Sequence, residues 1–115
     1  MRRGEIRWVA LDLGDDRQGR AQRPAVIVSN DGANAAAARR GVGVVTVVPL
    51  TTSTAPAHAF QVAIPAGQGG LRRDAKALTE HVRTVSASRV GPSIGAVDLE
   101  YLRRIDDALR VHLAL

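Results

Sequence analysis

The residues with the most useful chemistry are Arg23, which stands directly before Pro24, and the hydroxyl run Thr51–Thr54. A residue before proline is held in an extended conformation, so we expect Arg23 to sit firmly at the start of a strand. An arginine side chain offers phosphate a two-pronged hydrogen bond, and threonine hydroxyls both donate and accept. This set suits cleavage of RNA by its own 2′-hydroxyl, in which the protein holds the strand, eases proton movement and stabilises charge on the phosphorane. The alternative is that Arg23 is an ordinary solvated charge and Thr51–Thr54 a hydroxyl-rich turn.

Other kinds of active site have less support in the residues. The chain has no cysteine, which excludes disulfides, zinc fingers and thiol catalysis. Its histidines, at positions 58, 81 and 112, are far apart, and the adjacent Asp15 and Asp16 point to opposite sides of an extended chain. No nucleophile elbow is present, although counting residues does not exclude a Ser-His-Asp triad. We therefore expect neither a metal ion nor a cofactor.

Length and charge limit the classes of protein that fit. With 115 residues the chain is expected to be one domain, residues 1–115, and no apolar run approaches the ~20 residues of a membrane span. Its N-terminus is charged and unlike a signal peptide, so we expect a cytoplasmic protein with no membrane partner. Of the 16 basic residues only Lys76 is not arginine, and the net charge of +5 comes from the first 96 residues, because the tail is slightly acidic. That excess fits either a GC-rich codon bias or a polyanionic partner.

Short apolar segments separated by turns predict at least five strands and one helix. The strands are expected at Glu5–Leu13, Ala25–Ser29, Gly41–Val48, Phe60–Ile64 and about Glu80–Val85, with Ala25–Ser29 buried on both faces. The polar segment Gly14–Gln22 predicts a mobile loop, and residues 33–40 are expected to form either a short helix or a loop. Residues Ser86–Gly95 are expected to connect the last strand to the C-terminal helix. Pro49 favours a sheet edge or a bulge, and Trp8 and Phe60 fall at expected core positions. An amphipathic pattern from Asp98 predicts a C-terminal helix, so the fold class is mainly β or α+β: a small β-barrel or half-barrel with a C-terminal helix.

The order and spacing of several sequence blocks resemble the MazF/PemK family of toxin endoribonucleases over nearly the whole chain. The blocks are Arg3 to Ile6 with Trp8-Val9, Gln22 to Asp31 (the strongest), Val48 to Ser53, Phe60 to Val62, Glu80 to Val85 and the helix from Asp98 to Leu115. Each block is weak alone, and their order and spacing together are specific.

The resemblance implies an SH3-like β-barrel of the CcdB/PemK type with a C-terminal helix, working as a homodimer. It implies metal-independent, ribosome-independent cleavage of single-stranded RNA at short sequence motifs, leaving a 2′,3′-cyclic phosphate or 3′-phosphate and a 5′-hydroxyl. It also implies a MazE-like antitoxin that blocks the site. The family's catalytic arginine and threonine fall on Arg23 and Thr51. The predicted RNA-binding residues are Arg17, Gln18, Arg20, Gln22, Thr52, Ser53, His81 and Arg83.

The chain departs from the family pattern at three positions, which we expect to affect the cleaved RNA sequence more than the activity. Gln18 stands where the family often has glutamate, Ala10 where aspartate is common, and His81 where glutamine is frequent. Aromatic residues make up only 3% of the chain, so RNA binding is expected to depend on charge and hydrogen bonds more than on stacking.

Two other functions remain open from the sequence. A CcdB-like toxin that inhibits DNA gyrase acts through a C-terminal tail with tryptophan, whereas this chain ends Val111-His112-Leu113-Ala114-Leu115. A non-catalytic SH3-like module that binds nucleic acid is disfavoured, because a binding module has no need for Arg23 together with Thr51.

Overall fold

The computed structural model describes residues 1–11, 21–53 and 55–115. Within these residues the chain forms seven strands and two α-helices, joined in part by short 3₁₀ helices. The strands are β1 (Glu5–Ala10), β2 (Gln22–Ile27), β3 (Val44–Thr51), β4 (Gln61–Ile64), β5 (Ala75–Leu78), β6 (Arg83–Ser86) and β7 (Val90–Ala96), and the helices are α1 (Asp31–Arg40) and α2 (Leu99–Leu113). The predicted fold class, mainly β with a C-terminal helix, is confirmed. No helix in the described ranges is both long and apolar enough to cross a membrane.

Strand β3 organises the sheet, because it pairs with three other strands. The hydrogen-bonded order is β4-β5-β3-β2-β1-β7, all antiparallel, with β6 joined to β3 outside this path. Residues Val44–Val47 of β3 pair with β6, whereas Leu50 and Thr51 pair with β5. Thus the C-terminal end of β3, where the hydroxyl run begins, lies between β2 and β5.

Apolar side chains cover both faces of the central strands. On one face Val26 and Val28 pack in a cluster with Ile105 and Ala108 of α2. On the other face Ala25 and Ile27 pack in a second cluster, which Ala37 of α1 covers. Side chains alternate along a strand, so this segment needs apolar residues at every position, and the prediction that it is buried on both faces is confirmed.

The helix predicted as one alternative for residues 33–40 is present and begins earlier, at Asp31. The Asn30 side chain accepts a hydrogen bond from the backbone nitrogen of Ala33 at 2.8 Å, which satisfies one of the free donors of the first turn. The helix ends at Gly41, whose φ of 65° is a left-handed conformation that glycine adopts without strain. This glycine and Gly43 delay the third strand, which starts at Val44 and not at Gly41 as predicted.

Pro49 lies inside a central strand, so the prediction of an edge or a bulge at this position is wrong. It is buried in β3 opposite Ala25 of β2. On its other side it falls between the residues that pair with β6 and those that pair with β5. The missing N–H of proline is tolerated because the strand changes partners at this point.

The predictions for the second half of the sheet need two corrections. The strand expected at Glu80–Val85 is divided: β5 lies earlier, Thr79–His81 is a 3₁₀ helix, and β6 begins at Arg83. The expected connection over Ser86–Gly95 contains strand β7. Gly91, Pro92 and Gly95 resemble loop residues, but β7 is the outermost strand beside β1, where proline is tolerated.

Candidate functional site

Arg23 and Thr51 are brought together by the pairing of β2 with β3. In this antiparallel pair Ala25 lies opposite Pro49. Continuing the register by two residues places Arg23 opposite Thr51, with both side chains on the same face of the sheet. Both residues line one groove of about 770 Å³. The structure therefore unites the two residues that were predicted to be catalytic.

The described lining of the groove contains cationic side chains and no acidic ones. Arg23, Arg72 and Arg73 line it, and no carboxylate does among the residues that the structure describes. The Nε atom of Arg23 is buried and has no hydrogen-bond partner among the residues that the structure describes. A buried donor left unpaired costs about 1–3 kcal/mol, so an anionic acceptor entering the groove would relieve this cost. The geometry favours binding of a phosphate group at Arg23.

The hydroxyl of Thr51 is held by the backbone that follows it. Its Oγ1 accepts a hydrogen bond from the backbone nitrogen of Ser53 at 3.3 Å, and Ser53 Oγ accepts one from the backbone nitrogen of Ala55 at 3.3 Å. A hydroxyl has one proton and two lone pairs, so Thr51 can still donate its proton and accept one further hydrogen bond.

The predicted RNA-binding residues do not all lie in the groove. Gln22, at the start of β2, and Thr52, directly after β3, line it. The groove lining does not include Ser53, His81 or Arg83. The backbone nitrogen of Ser53 binds the Thr51 hydroxyl, and His81 is exposed at the end of a 3₁₀ helix. Arg83 lies in β6, where it pairs with Val47 of β3. Arg17, Gln18 and Arg20, with Asp15 and Asp16, lie outside the described residues.

Trp8 was predicted to lie in the core, and this is wrong. Its side chain is 40% exposed and lines the groove. Ile6 lies two residues earlier on the same face of β1 and is fully buried in the apolar cluster that packs against α2. Trp8 is not part of that cluster. Phe60, the other expected core aromatic, is partly buried and stacks on His58 with ring centroids 5.3 Å apart.

Arg72 and Arg73 are groove residues that the sequence reasoning missed. The available signal was an adjacent pair of arginines after Gly69-Gly70, between two strands. These glycines let the segment lie directly on β7. A Cβ at Gly70, where φ is 81°, would overlap the Ile94 carbonyl, and one at Gly95 would overlap the Gly69 carbonyl. Arg72 and Arg73, which follow this contact with β7, line the same groove as Arg23.

The strand that carries Trp8 is fixed to β7 by charged groups. Arg7 donates from Nε to the Gly91 carbonyl at 2.8 Å and from Nη1 to Glu5 Oε1 at 3.2 Å. Burial alone would raise the pKa of Glu5. Hydrogen bonds from the Ser93 and Arg7 side chains and the Arg2 backbone, with the positive charge of Arg7, outweigh that effect and lower the pKa. Glu5 is therefore held in its charged form at neutral pH.

The described residues offer no cluster suited to a metal ion. Nowhere in residues 1–11, 21–53 and 55–115 do three histidine, aspartate or glutamate side chains come close enough together to hold one. The polar groups that line the groove among the described residues are guanidinium, hydroxyl, amide and indole groups, and apolar side chains such as Leu50, Leu71 and Ile94 line the rest of it.

Three comparisons with known proteins identify what this chain resembles. Residues 2–113 match the family described as "PemK-like, MazF-like toxin of type II toxin-antitoxin system". The chain is 47% identical to "Endoribonuclease MazF9" of Mycobacterium tuberculosis, across 100% of this chain and 98% of that protein. It is 29% identical to "Endoribonuclease EndoA" of Bacillus subtilis, across 100% of this chain and 96% of that protein. A solved mycobacterial endoribonuclease in complex with its cognate antitoxin has a TM-score of 0.75 and 25% identity, over 100% of this chain and 96% of that one. The chain therefore belongs to the PemK-like and MazF-like family of toxins of type II toxin–antitoxin systems.

Proposed function

We propose that this endoribonuclease cleaves single-stranded RNA in the groove that contains Arg23 and Thr51, without a metal ion or a ribosome. The observation that carries the proposal is the buried Nε of Arg23, which has no hydrogen-bond partner among the described residues, in a groove that Arg72 and Arg73 also line. A scissile phosphate is the ligand that such a group is suited to bind. Sequence selection of the cleaved RNA is part of the proposal and depends on the bases that the groove accepts.

The proposed reaction uses the nucleophile that RNA itself provides. The 2′-oxygen attacks the adjacent phosphorus and loses its proton, while the bond from phosphorus to the 5′-oxygen breaks and that oxygen gains a proton. The products are a 2′,3′-cyclic phosphate, which water can open to a 3′-phosphate, and a 5′-hydroxyl. Arg23 remains protonated throughout, because guanidinium is not deprotonated in proteins, and it stabilises the charge that develops on the phosphorane.

Thr51 is proposed to orient the reacting groups. Thr51 is half-buried, and its hydroxyl already accepts one hydrogen bond from the backbone nitrogen of Ser53, so its free proton can be donated to a non-bridging phosphate oxygen. Its remaining lone pair can accept from the 2′-hydroxyl. A neutral threonine is a weak base, so its contribution is alignment and not proton removal.

The remaining groove residues are proposed to bind RNA on either side of the scissile phosphate. Arg72 and Arg73 supply positive charge, Gln22 and Thr52 supply hydrogen bonds, and Trp8 supplies an exposed ring face. The predicted contacts of Arg17, Gln18, Arg20, Ser53, His81 and Arg83 with RNA stay predictions. They would extend the binding surface beyond the groove.

The test is cleavage of a long single-stranded RNA by the purified protein in EDTA, with products separated on a sequencing gel. We expect cuts at discrete sites and cyclic phosphate ends. Arg23→Ala should abolish cleavage without changing the melting temperature by more than a few degrees. The matched control is Arg89→Ala, because Arg89 is exposed in the Ala87–Arg89 3₁₀ helix and outside the groove. A folded wild-type protein that leaves varied RNAs intact would refute the proposal.

We also propose a homodimer that a MazE-like antitoxin inhibits in the cytoplasm. The family's toxin–antitoxin description supports the antitoxin. Helix α2 supports a further protein contact, because Leu99, Val111 and Leu113 on it are 48–60% exposed. Light scattering should give twice the mass of one chain, and co-expression with the product of an adjacent small gene should abolish cleavage.

A further inference from the structure

Lys76 is an unusual cation in this chain. It is the only lysine among 16 basic residues, and its side chain is only 8% exposed. It lies in β5 directly opposite Thr51 of β3. None of the ion pairs between described residues involves Lys76. A buried lysine needs a specific reason, because lysine is rarely this deeply buried without a charged partner.

The Lys76 ammonium ends a series of hydrogen bonds that begins at Thr51. Lys76 Nζ donates to the Ala55 carbonyl at 2.6 Å. The backbone nitrogen of Ala55 donates to Ser53 Oγ, and the backbone nitrogen of Ser53 donates to Thr51 Oγ1, each at 3.3 Å. Thr51 is therefore held twice: by strand pairing with Lys76, and through the segment that the Lys76 side chain fastens.

We propose that Lys76 is a positioning residue for RNA cleavage, which holds the segment after β3 so that the Thr51 hydroxyl points at the reacting phosphate. This inference rests on the proposed function. Lysine suits the task better than arginine, because a compact ammonium can reach a single carbonyl in a closed space where a planar guanidinium needs more room.

The test compares Lys76→Met with the wild type in steady-state cleavage of a short RNA. Methionine keeps the apolar stem and removes the donor. We expect kcat to fall on the order of tenfold, since small displacements of aligned groups reduce rates strongly, while KM changes less than about twofold. In a Thr51→Ala background the same substitution should have no further effect on kcat. Arg89→Met is the matched control and should behave as wild type.

Three outcomes would overturn the inference. They are an unchanged kcat in Lys76→Met, a raised KM at constant kcat (which would make Lys76 an RNA contact), and an undiminished loss of kcat in the Thr51→Ala background.

If Lys76→Met does not fold, Ser53→Ala decides the question, because Ser53 is exposed and its hydroxyl is the middle link. It should lower kcat by about threefold, and wild-type kcat would refute the positioning role. The same assay tests the proposed function separately, because that function requires cleavage by the wild type and loss of cleavage in Arg23→Ala.

Discussion

Trp8 and Pro24 lie directly opposite each other in the pairing of β1 with β2. Side chains at such positions are neighbours on one face of the sheet, so we expect the rigid proline ring to support one side of the indole. The other side remains open to the groove, since Trp8 is 40% exposed. An exposed ring in the same groove as Arg23, the arginine proposed to bind phosphate, is suited to stack on a base of bound RNA.

The first prediction is that Trp8→Ala weakens RNA binding. Stacking on one base contributes about 1–3 kcal/mol, so the dissociation constant should rise roughly 5- to 150-fold, while Trp8→Phe should retain much of the affinity. Binding is measured with an RNA that carries a 2′-deoxy group at the cleaved position. Trp8 is the only tryptophan, so quenching of its fluorescence reports the contact directly. Binding without quenching, together with unchanged affinity in Trp8→Ala, would contradict the stacking role.

Sequence patterns were sufficient where the structure depends on local signals. The continuous apolar run after Pro24 correctly predicted that β2 is buried on both faces. The amphipathic spacing from Asp98 correctly predicted helix α2. Residue chemistry indicated Arg23 and the hydroxyl run Thr51–Thr54, and the resemblance to the family assigned the catalytic pair to Arg23 and Thr51. The register that places these two residues opposite each other required the structure. The exposure of Trp8 was not predicted, because it depends on how far along β1 the packing against α2 extends.

Strand β7 was missed because its glycines and proline imitate a loop. Its strand conformation depends on pairing with β1, which lies far away along the chain. A second long-range contact, that of Gly69 and Gly70 with β7, precedes Arg72 and Arg73 in the groove lining. Contacts of this kind leave no periodic trace in a single sequence.

The second prediction concerns the hydroxyl groups after β3. Thr51→Ala should lower kcat about 100-fold or more, in the range seen when one donor to a transition-state oxyanion is removed. Thr51→Ser keeps the hydroxyl and should remain within about tenfold of wild type. Ser53→Ala should cost much less than Thr51→Ala, because the backbone nitrogen that binds Thr51 Oγ1 is retained. Equal losses in Thr51→Ala and Ser53→Ala would show that the reacting hydroxyl is misassigned.

The third prediction is that Arg72 and Arg73 contribute through phosphate charge. Each phosphate contact to a single strand adds about −0.7 to the slope of log affinity against log salt. Arg72→Gln and Arg73→Gln should each reduce the magnitude of that slope by about this amount and weaken binding similarly for all sequences. Titrations of non-cleavable RNA at several salt concentrations measure it. Arg89→Gln should keep the wild-type slope, and an equal change in that control would assign the effect to overall charge.

The fourth prediction is a pH dependence of stability that comes from Glu5. Because the folded protein lowers the pKa of this carboxyl, its charged form stabilises the fold above the ordinary value of about 4.5, and this contribution disappears as the pH falls through the lowered pKa. Glu5→Gln should therefore reduce the free energy of unfolding by about 1 kcal/mol at pH 7, as expected for a partly exposed ionic hydrogen bond. The difference from wild type should shrink below pH 4.5.

The matched control for Glu5 is Glu100→Gln. Glu100 pairs with Arg104 at 2.6 Å on the surface of α2, but its side chain is 65% exposed, so the substitution should change stability little at any pH. Urea unfolding of the three proteins between pH 3 and pH 8 measures both effects. If the difference between Glu5→Gln and wild type stays constant over this range, the Glu5 carboxylate is not held by the hydrogen bonds with Ser93, Arg7 and Arg2. The contacts that fasten β1 to β7 would then be independent of its charge.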